Sequence, residues 1–398
     1  MSDTTEMTRN TVLGKTGRIP SWLLWFLGAV GTAGAVAFVV AAADPDKAEG
    51  AWRILLINFL FWTALAQGGV IFSCVLRITN ARWGRSFLRI SESFSFFLPF
   101  SMLILILIFI GSDKLLPYAT HHYHAPKDVW LNMPFVFLRN VLGFAFLLFL
   151  TYKYVKGSLL LEINPAKGSF SDVKKLAPYI VGAYAVVFSL FSWDFMMSLD
   201  PYWFSTLLGP YYFMGGLVSA VGMTLIVSVG LSRYLNLKDY LGDYHYWDIG
   251  KMLNGFALLW AYLMFSQLLP IWYANMPEET GFVVKRIAEE PFKTFAWAVF
   301  TCCFIFPFIS FMPRTHKIVT PIAVFISTVF LCGLWMDKFL FVTPSLTSTL
   351  ETSMPQILIT LGFAGVFLGA VLFFLKKFPA IPFGDPFFDG PNSHHGGH

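Results

Sequence analysis

Five polar side chains that a lipid bilayer should exclude lie in or at the ends of long apolar runs: Arg139, Asp194, Gln267, Asp337 and Lys338. A charge near the bilayer centre costs about 2.5–3.5 kcal/mol on insertion scales, and less towards the interface. Each group therefore needs a partner, a proton or a function. Three kinds of chemistry are open. A buried carboxyl with raised proton affinity can accept and pass protons. The same groups can bind a ligand, or Arg139 and Lys338 can pair with Asp194 and Asp337 and hold helices together. The two cations can also snorkel to the interface. Asp194 opens the stretch Trp193-Asp-Phe-Met-Met-Ser-Leu-Asp-Pro-Tyr-Trp203, which closes one apolar run and leads towards the next. Asp200-Pro201 reads differently: Asp is a favoured N-cap and Pro a favoured first helical residue, so a short surface helix is expected there, ended by Gly209-Pro210.

A second tier of titratable groups flanks these. Glu278 and Glu279, after Trp272-Tyr-Ala-Asn-Met-Pro277, are expected as surface carboxylates that either pass protons between the buried groups and water or cap a solvated loop. His121, His122 and His124 can titrate near neutral pH, as relays or as solvated interfacial side chains. At the opposite end, Glu92 stands among Ser91, Ser93 and Ser95. It either begins a proton half-path, through Ser and Tyr hydroxyls such as Tyr184 towards Ser189 and Ser192, or pairs with Arg89 three residues earlier on one helix face.

The elements that position these groups follow from composition. Of 398 residues, 56% are hydrophobic and only 13% charged, where a soluble domain carries about 25%; this is an integral membrane protein. Runs of about 20 apolar residues predict ten membrane-spanning helices near 21–43, 54–76, 90–112, 134–152, 178–198, 211–232, 252–274, 294–312, 319–342 and 356–375. The runs are continuous rather than alternating, which excludes a closed barrel. Lys and Arg number nineteen in one set of connecting segments and seven in the other, so both termini are expected in the cytoplasm. The first run is read as an uncleaved span rather than a signal peptide.

Asp194 precedes Pro201 by seven residues and Asp337 precedes Pro344 by seven, with Trp193 and Trp335 close to the acids. The echo suggests two related four-helix bundles, spans two to five (54–198) and six to nine (211–342), with spans one and ten outside them. Residues 1–20 form an N-terminal tail, 21–375 the membrane domain and 376–398 a cytoplasmic C-terminal tail, disordered or ordered on contact. The four cysteines (Cys74, Cys302, Cys303, Cys332) lack CxxC spacing and are read as buried apolar residues. No His falls within these spans, no P-loop, Rossmann or HExxH pattern occurs, and no metal site is expected. A redox role would thus need electron carriers in other subunits.

Three long segments carry a resemblance. Ser192-Trp-Asp-Phe-Met-Met-Ser-Leu-Asp-Pro-Tyr-Trp-Phe-Ser-Thr206 is one. The second is His245-Tyr-Trp-Asp-Ile-Gly-Lys-Met-Leu253 with Trp260-Ala-Tyr-Leu-Met-Phe-Ser-Gln267 and Ile271-Trp-Tyr-Ala-Asn-Met-Pro-Glu-Glu-Thr280. The third is Lys127-Asp-Val-Trp-Leu-Asn132 with Arg139. Together the chain resembles the NrfD-like, polysulfide-reductase-type membrane subunits, in the form found in bacterial alternative complex III. The resemblance implies two four-helix bundles plus two peripheral helices in the bacterial cytoplasmic membrane. It also implies a part in quinol oxidation, with quinone or quinol as the only small molecule in prospect and no tightly bound cofactor in this chain. Iron–sulfur clusters and c-type haems would sit in partners: pentahaem and monohaem cytochromes c, an iron–sulfur protein, a sister NrfD-like subunit and small membrane subunits. A terminal cytochrome oxidase and the lipid bilayer complete the expected partners, with no nucleic acid. The sister subunit is the implied seat of quinol oxidation, leaving proton conduction or assembly to this chain. Asp337-Lys338 departs from the Glu-Arg pair of related subunits, and a Lys cannot make the bidentate fork of Arg. Two readings of other classes use the same residues: a proton-coupled secondary transporter and a purely structural membrane anchor.

Overall fold

The computed structural model describes residues 19–120, 127–200, 202–350 and 352–388, with the backbone alone at Glu278. Among the described residues there is no strand, and ten helices are long and apolar enough to cross a membrane. They are α1 (Ser21–Ala43), α2 (Ala48–Ile78), α3 (Arg85–Ile110), α4 (Met133–Ile163), α5 (Phe170–Leu199), α6 (Leu208–Leu231), α7 (Asp243–Ala274), α8 (Phe292–Ser310), α9 (Thr320–Leu346) and α10 (Met354–Lys377). Each coincides with one of the ten apolar runs.

Several helices outrun their apolar segment. α2 and α4 have 31 residues and α7 has 32, about 47 Å at 1.5 Å per residue against a hydrocarbon core of about 30 Å. Hydropathy registers only the apolar window, whereas backbone hydrogen bonds and neighbouring helices carry the element beyond it. Arg77 therefore lies inside α2, and Arg85, Arg89 and Glu92 inside α3. His245 and Asp248 lie in the first turns of α7, which corrects the expectation of a histidine-free set of spans. Asp248 pairs with Lys251 on the same helix at 2.6 Å.

The short helix expected at Asp200 does not form. Asp200 follows the 3-10 turn Met197–Leu199, and α6 begins at Leu208 with Gly209 and Pro210 in its first turn. First-turn N–H groups have no intrahelical acceptor, so a proline there sacrifices nothing. Gly209-Pro210 thus starts a helix rather than ending one; Pro201 is outside the described residues.

α2 runs through the centre of the molecule. Its whole apolar window is buried, because α3, α5, α6, α9 and α10 all pack against it. Small residues permit the crowding: a Cβ on Gly68 would overlap the Gly216 carbonyl oxygen of α6, and one on Gly216 would lie 2.7 Å from the Ala64 oxygen. Gly68→Ala is therefore expected to cost about 1–3 kcal/mol by forcing the two helices apart. The melting temperature of the detergent-purified protein reads this, and an unchanged value would refute the close approach.

Around α2, consecutive helices from α2 to α5 touch and α5 returns to α2; α6 to α9 make a second ring, α9 returning to α6. α1 and α10 pack on each other at Gly34 and Gly362. Cys74 and Cys303 are buried, but Cys332 is exposed on the outer face of α9, where a thiol behaves as a small apolar group. After α10 the chain stays on the bundle: Ala380, Ile381 and Asp385 are buried. His394, His395 and His398 lie outside the described residues.

Candidate functional site

Alternating helices run in opposite directions, so the bundle has an Asp194 end and a Glu92 end. At the Asp194 end the five polar residues divide into separate groups. Arg139 of α4 grips Asp194 of α5 with both arms of its fork: Nε donates to Oδ2 at 2.9 Å and Nη2 to Oδ1. Asn140 adds an Nδ2–Oδ2 bond of 2.6 Å. The remaining guanidinium donor, Nη1, meets the Trp130 carbonyl at 2.7 Å, and the cation lies over the Trp130 and Phe135 rings. Asp194 is fully buried and Arg139 nearly so. Planar bidentate pairing, not snorkelling, holds this arginine in place.

The second group joins α9 to α6. Lys338 Nζ donates to Asp337 Oδ2 at 2.7 Å, and the Tyr211 hydroxyl donates to Oδ1. The ammonium also lies 5.1 and 5.4 Å from the Tyr211 and Tyr212 ring centres. Both charged residues are buried. No hydrogen bond or ion pair connects this group with Arg139–Asp194 among the described residues. Gln267 joins neither: Nε2 returns to the Leu263 carbonyl of its own helix at 3.3 Å, and Oε1 has no partner. It lines, with Asp337, Trp203, Phe282 and Arg286, a cavity of about 50 Å³.

Arg286, unremarked in the sequence, sits on the helix Pro277–Ile287 against that cavity. Its Nε donates to the Leu340 carbonyl at 3.1 Å and Nη2 to the Phe341 carbonyl at 2.7 Å, with Ser345 Oγ also at 2.7 Å. Pro344, inside α9, has no N–H to offer the carbonyl four residues back, and the guanidinium replaces the missing donor. Burial pushes Arg286 down to about 9, with Asp200 acting in the opposite direction; it remains charged at neutral pH. Arg286→Met strands these carbonyls at about 1–3 kcal/mol for each one left buried. A melting-temperature series should show the loss, and Arg286→Met in a Pro344→Ala background should lose less. Equal losses in both backgrounds would refute the patch.

The same short helix corrects the expectation for Glu279. Pro277 at its first position starts a helix instead of a solvated loop, and Glu279 is buried. The Glu278 side chain, His121, His122 and His124 lie outside the described residues.

At the Glu92 end a larger network forms. Glu92 Oε1 accepts from Ser73 Oγ at 2.9 Å and Arg77 Nη1 at 3.0 Å; Oε2 accepts from Arg89 Nη1 at 2.6 Å and Ser158 Oγ at 2.8 Å. The local Arg89 pair therefore exists, within something wider. Arg89 also binds Glu162, the Tyr154 hydroxyl meets Ser73 Oγ at 2.8 Å, and further along Gln67 Nε2 donates to Thr151 Oγ1 at 3.0 Å. Thr151, Tyr154, Ser158 and Glu162 recur every three or four residues on one face of α4. That spacing was readable, but the side chains they meet on α2 and α3 were not.

The hydroxyl route expected from Tyr184 to Ser192 is not connected. Ser189 and Ser192 bond to carbonyls of their own helix, and Tyr184 to the Phe213 carbonyl. Ser91, Ser93 and Ser95 likewise turn back onto their own backbone. Between Thr151 and Asn140 on the polar face of α4 stand only Leu147 and Phe144, both fully buried, with Phe144 packed on Phe191. Along α4 the polar groups of the two ends are thus separated by about 16 Å, eleven residues of rise. Among the described residues no group of three or more His, Cys, Asp or Glu is placed to hold a metal ion.

No protein-family model matches the chain. A Halobacterium salinarum protein provisionally named as a membrane subunit of dimethyl sulfoxide reductase is 25% identical over 234 residues, covering 56% of this chain and 53% of that one. The chain thus spans about half the length of the curated relative it matches. The likeness is to a membrane subunit of a reductase.

Proposed function

We propose that this chain is a proton-handling membrane subunit of a quinol-oxidising respiratory complex, the second large NrfD-like (ActF-type) subunit of an alternative complex III. In this reading it lies in a bacterial cytoplasmic membrane with both termini inside, the Glu92 end facing the cytoplasm and the Asp194 end the outside. The rings α2–α5 and α6–α9 act as its two functional halves. Iron–sulfur and c-type haem subunits, a sister NrfD-like subunit and small membrane subunits carry the electrons and complete the assembly, with cytochrome c or a terminal oxidase as acceptor.

The observation that carries the reading is the pairing of buried carboxyl networks at both ends of a membrane bundle: Asp194 and Asp337 at one, Glu92 at the other. An anchor needs apolar packing, not three buried acids, each costly to desolvate. The long motifs around Asp194 and Gln267 support the respiratory assignment, as does the reductase membrane subunit named above.

Quinol oxidation releases two electrons and two protons. The cavity at Gln267 and Asp337, about 50 Å³ and lined mostly by apolar atoms, is smaller than the roughly 300 Å³ at which ligand pockets begin. In this reading the ring site belongs to the sister subunit, as the resemblance implies, and this chain's contribution is protonic. Asp194, held by Arg139 and Asn140, and Asp337, held by Tyr211 and Lys338, are the groups able to take a proton and return it. The apolar section between the ends keeps protons from leaking across at rest.

The test is an absorption spectrum of the assembly drawn from native membranes by a tag on this chain. Co-purifying c-type haem, reducible by added quinol, is the expected result; a colourless single-subunit preparation would overturn the respiratory reading in favour of transport. Within a coloured complex, Asp194→Asn should reduce proton translocation while leaving haem content unchanged, and full coupling in that variant would remove Asp194 from the path.

A further inference from the structure

Three guanidinium groups, Arg77, Arg85 and Arg89, are buried together at the Glu92 end, each no more than 1% exposed. The helices supply only two acids to meet them, Glu92 and Glu162. The third comes from beyond α10: Asp385 Oδ2 lies 3.1 Å from Arg85 Nη1 and 3.5 Å from Arg77 Nε, itself buried. Among the described residues, charge balance in this buried cluster is therefore completed by the tail. Two nitrogens of Arg85, Nε and Nη2, remain buried without a hydrogen-bond partner, so Asp385 is its principal counter-ion.

The segment that delivers Asp385 is seated closely but without regular structure. Residues 378–388 turn on short-range backbone bonds, such as Asp385 N to the Pro382 carbonyl at 3.1 Å, and Asp385 Oδ1 accepts from Phe387 N at 3.0 Å. Phe387 packs on Phe170 and under the Arg85 guanidinium; Phe383 and Phe388 pack on Tyr240. A Cβ on Gly384 would overlap the Leu161 carbonyl oxygen, so only glycine lets the tail lie this close to the end of α4.

We propose that residues 378–388 form a strap across the Glu92 end of the α2–α5 ring, with the Asp385–Arg85–Arg77 contact as the latch that keeps water from the Glu92 network. A non-helical segment beyond α10, held by ring contacts and one ionic latch, can lift without unfolding the helices beneath it. Losing the latch leaves three buried cations against two acids, an imbalance that draws in water or an anion. That such an opening governs proton access rests on the function proposed above; the latch itself does not.

The chain carries its own reporter. Cys74 is fully buried on α2, next to Ser73 and three residues from Arg77, both of which bind Glu92. Cys303, equally buried, lies in the other ring beside Asp337 and Lys338. In native membranes, alkylation of each cysteine by N-ethylmaleimide is followed by mass spectrometry. Asp385→Asn is expected to speed labelling of Cys74 at least about tenfold, as breaking a buried ion pair implies, with Cys303 unchanged. Arg85→Gln added to Asp385→Asn restores the charge count and should restore protection of Cys74. The proposal is overturned if Cys74 stays protected in Asp385→Asn, if both cysteines speed up alike, or if the double variant labels like the single. Because the readout is thiol access, a fast Cys74 in a haem-free preparation would leave the latch standing and remove only the respiratory role.

Discussion

Arg139→Met is expected to lower the stability of the folded protein by about 3–5 kcal/mol, the loss found when one member of a buried ion pair is removed. Asp194 would keep Asn140 as a donor but would lose both arms of the guanidinium fork while staying fully buried. A carboxylate in that position must either remain charged without a cation or take up a proton, and both are costly at neutral pH. The reverse change, Asp194→Asn, is milder. Arg139 retains the Trp130 carbonyl and two aromatic faces and is the less buried partner. Thermal denaturation in detergent should order the variants wild type, Asp194→Asn, Arg139→Met. Adding Asp194→Asn to Arg139→Met should recover part of the loss, since it removes the stranded charge. Additive losses in the double variant would mean that the pair is not coupled.

Glu92→Gln carries the second large expectation. One carboxylate receives Ser73, Arg77, Arg89 and Ser158, so an amide there leaves Arg77 and Arg89 to share Glu162 and Asp385. The amide nitrogen also places a donor where four donors already converge. A loss of about 3–5 kcal/mol follows from the stranded buried charge. The corresponding change at Glu162, which meets only Arg89, should cost less. Melting temperatures of the two variants give the comparison, and a Glu162→Gln loss equal to or larger than that of Glu92→Gln would refute the central place of Glu92.

What the sequence determined by itself was the existence of ten apolar helices, because a span needs about 20 residues without charge and that signal is local. It also showed which polar residues were anomalous: a buried Asp194 or Asp337 stands out against apolar neighbours whatever the helices do. Helix ends were less legible. α2 and α3 continue into polar sequence because neighbouring helices bury their ends, and that continuation brings Arg77, Arg85 and Arg89 inside the bundle beside Glu92. Asp200-Pro201 satisfied local capping rules and still started no helix.

Partnership was decided only by tertiary structure. Five polar groups at one depth read as one cluster, yet helix packing gave Asp194 to Arg139 and Asn140, Asp337 to Lys338 and Tyr211, and Gln267 to neither. A carboxylate's partner is whichever donor comes within about 3 Å, and that depends on rotations and offsets between helices far apart in sequence. One such gap is the 300 residues between Arg85 and Asp385. Composition marked that tail as a polar end; its carboxylate became the counter-ion of a buried cluster because α3, α4 and the end of α10 meet at one face.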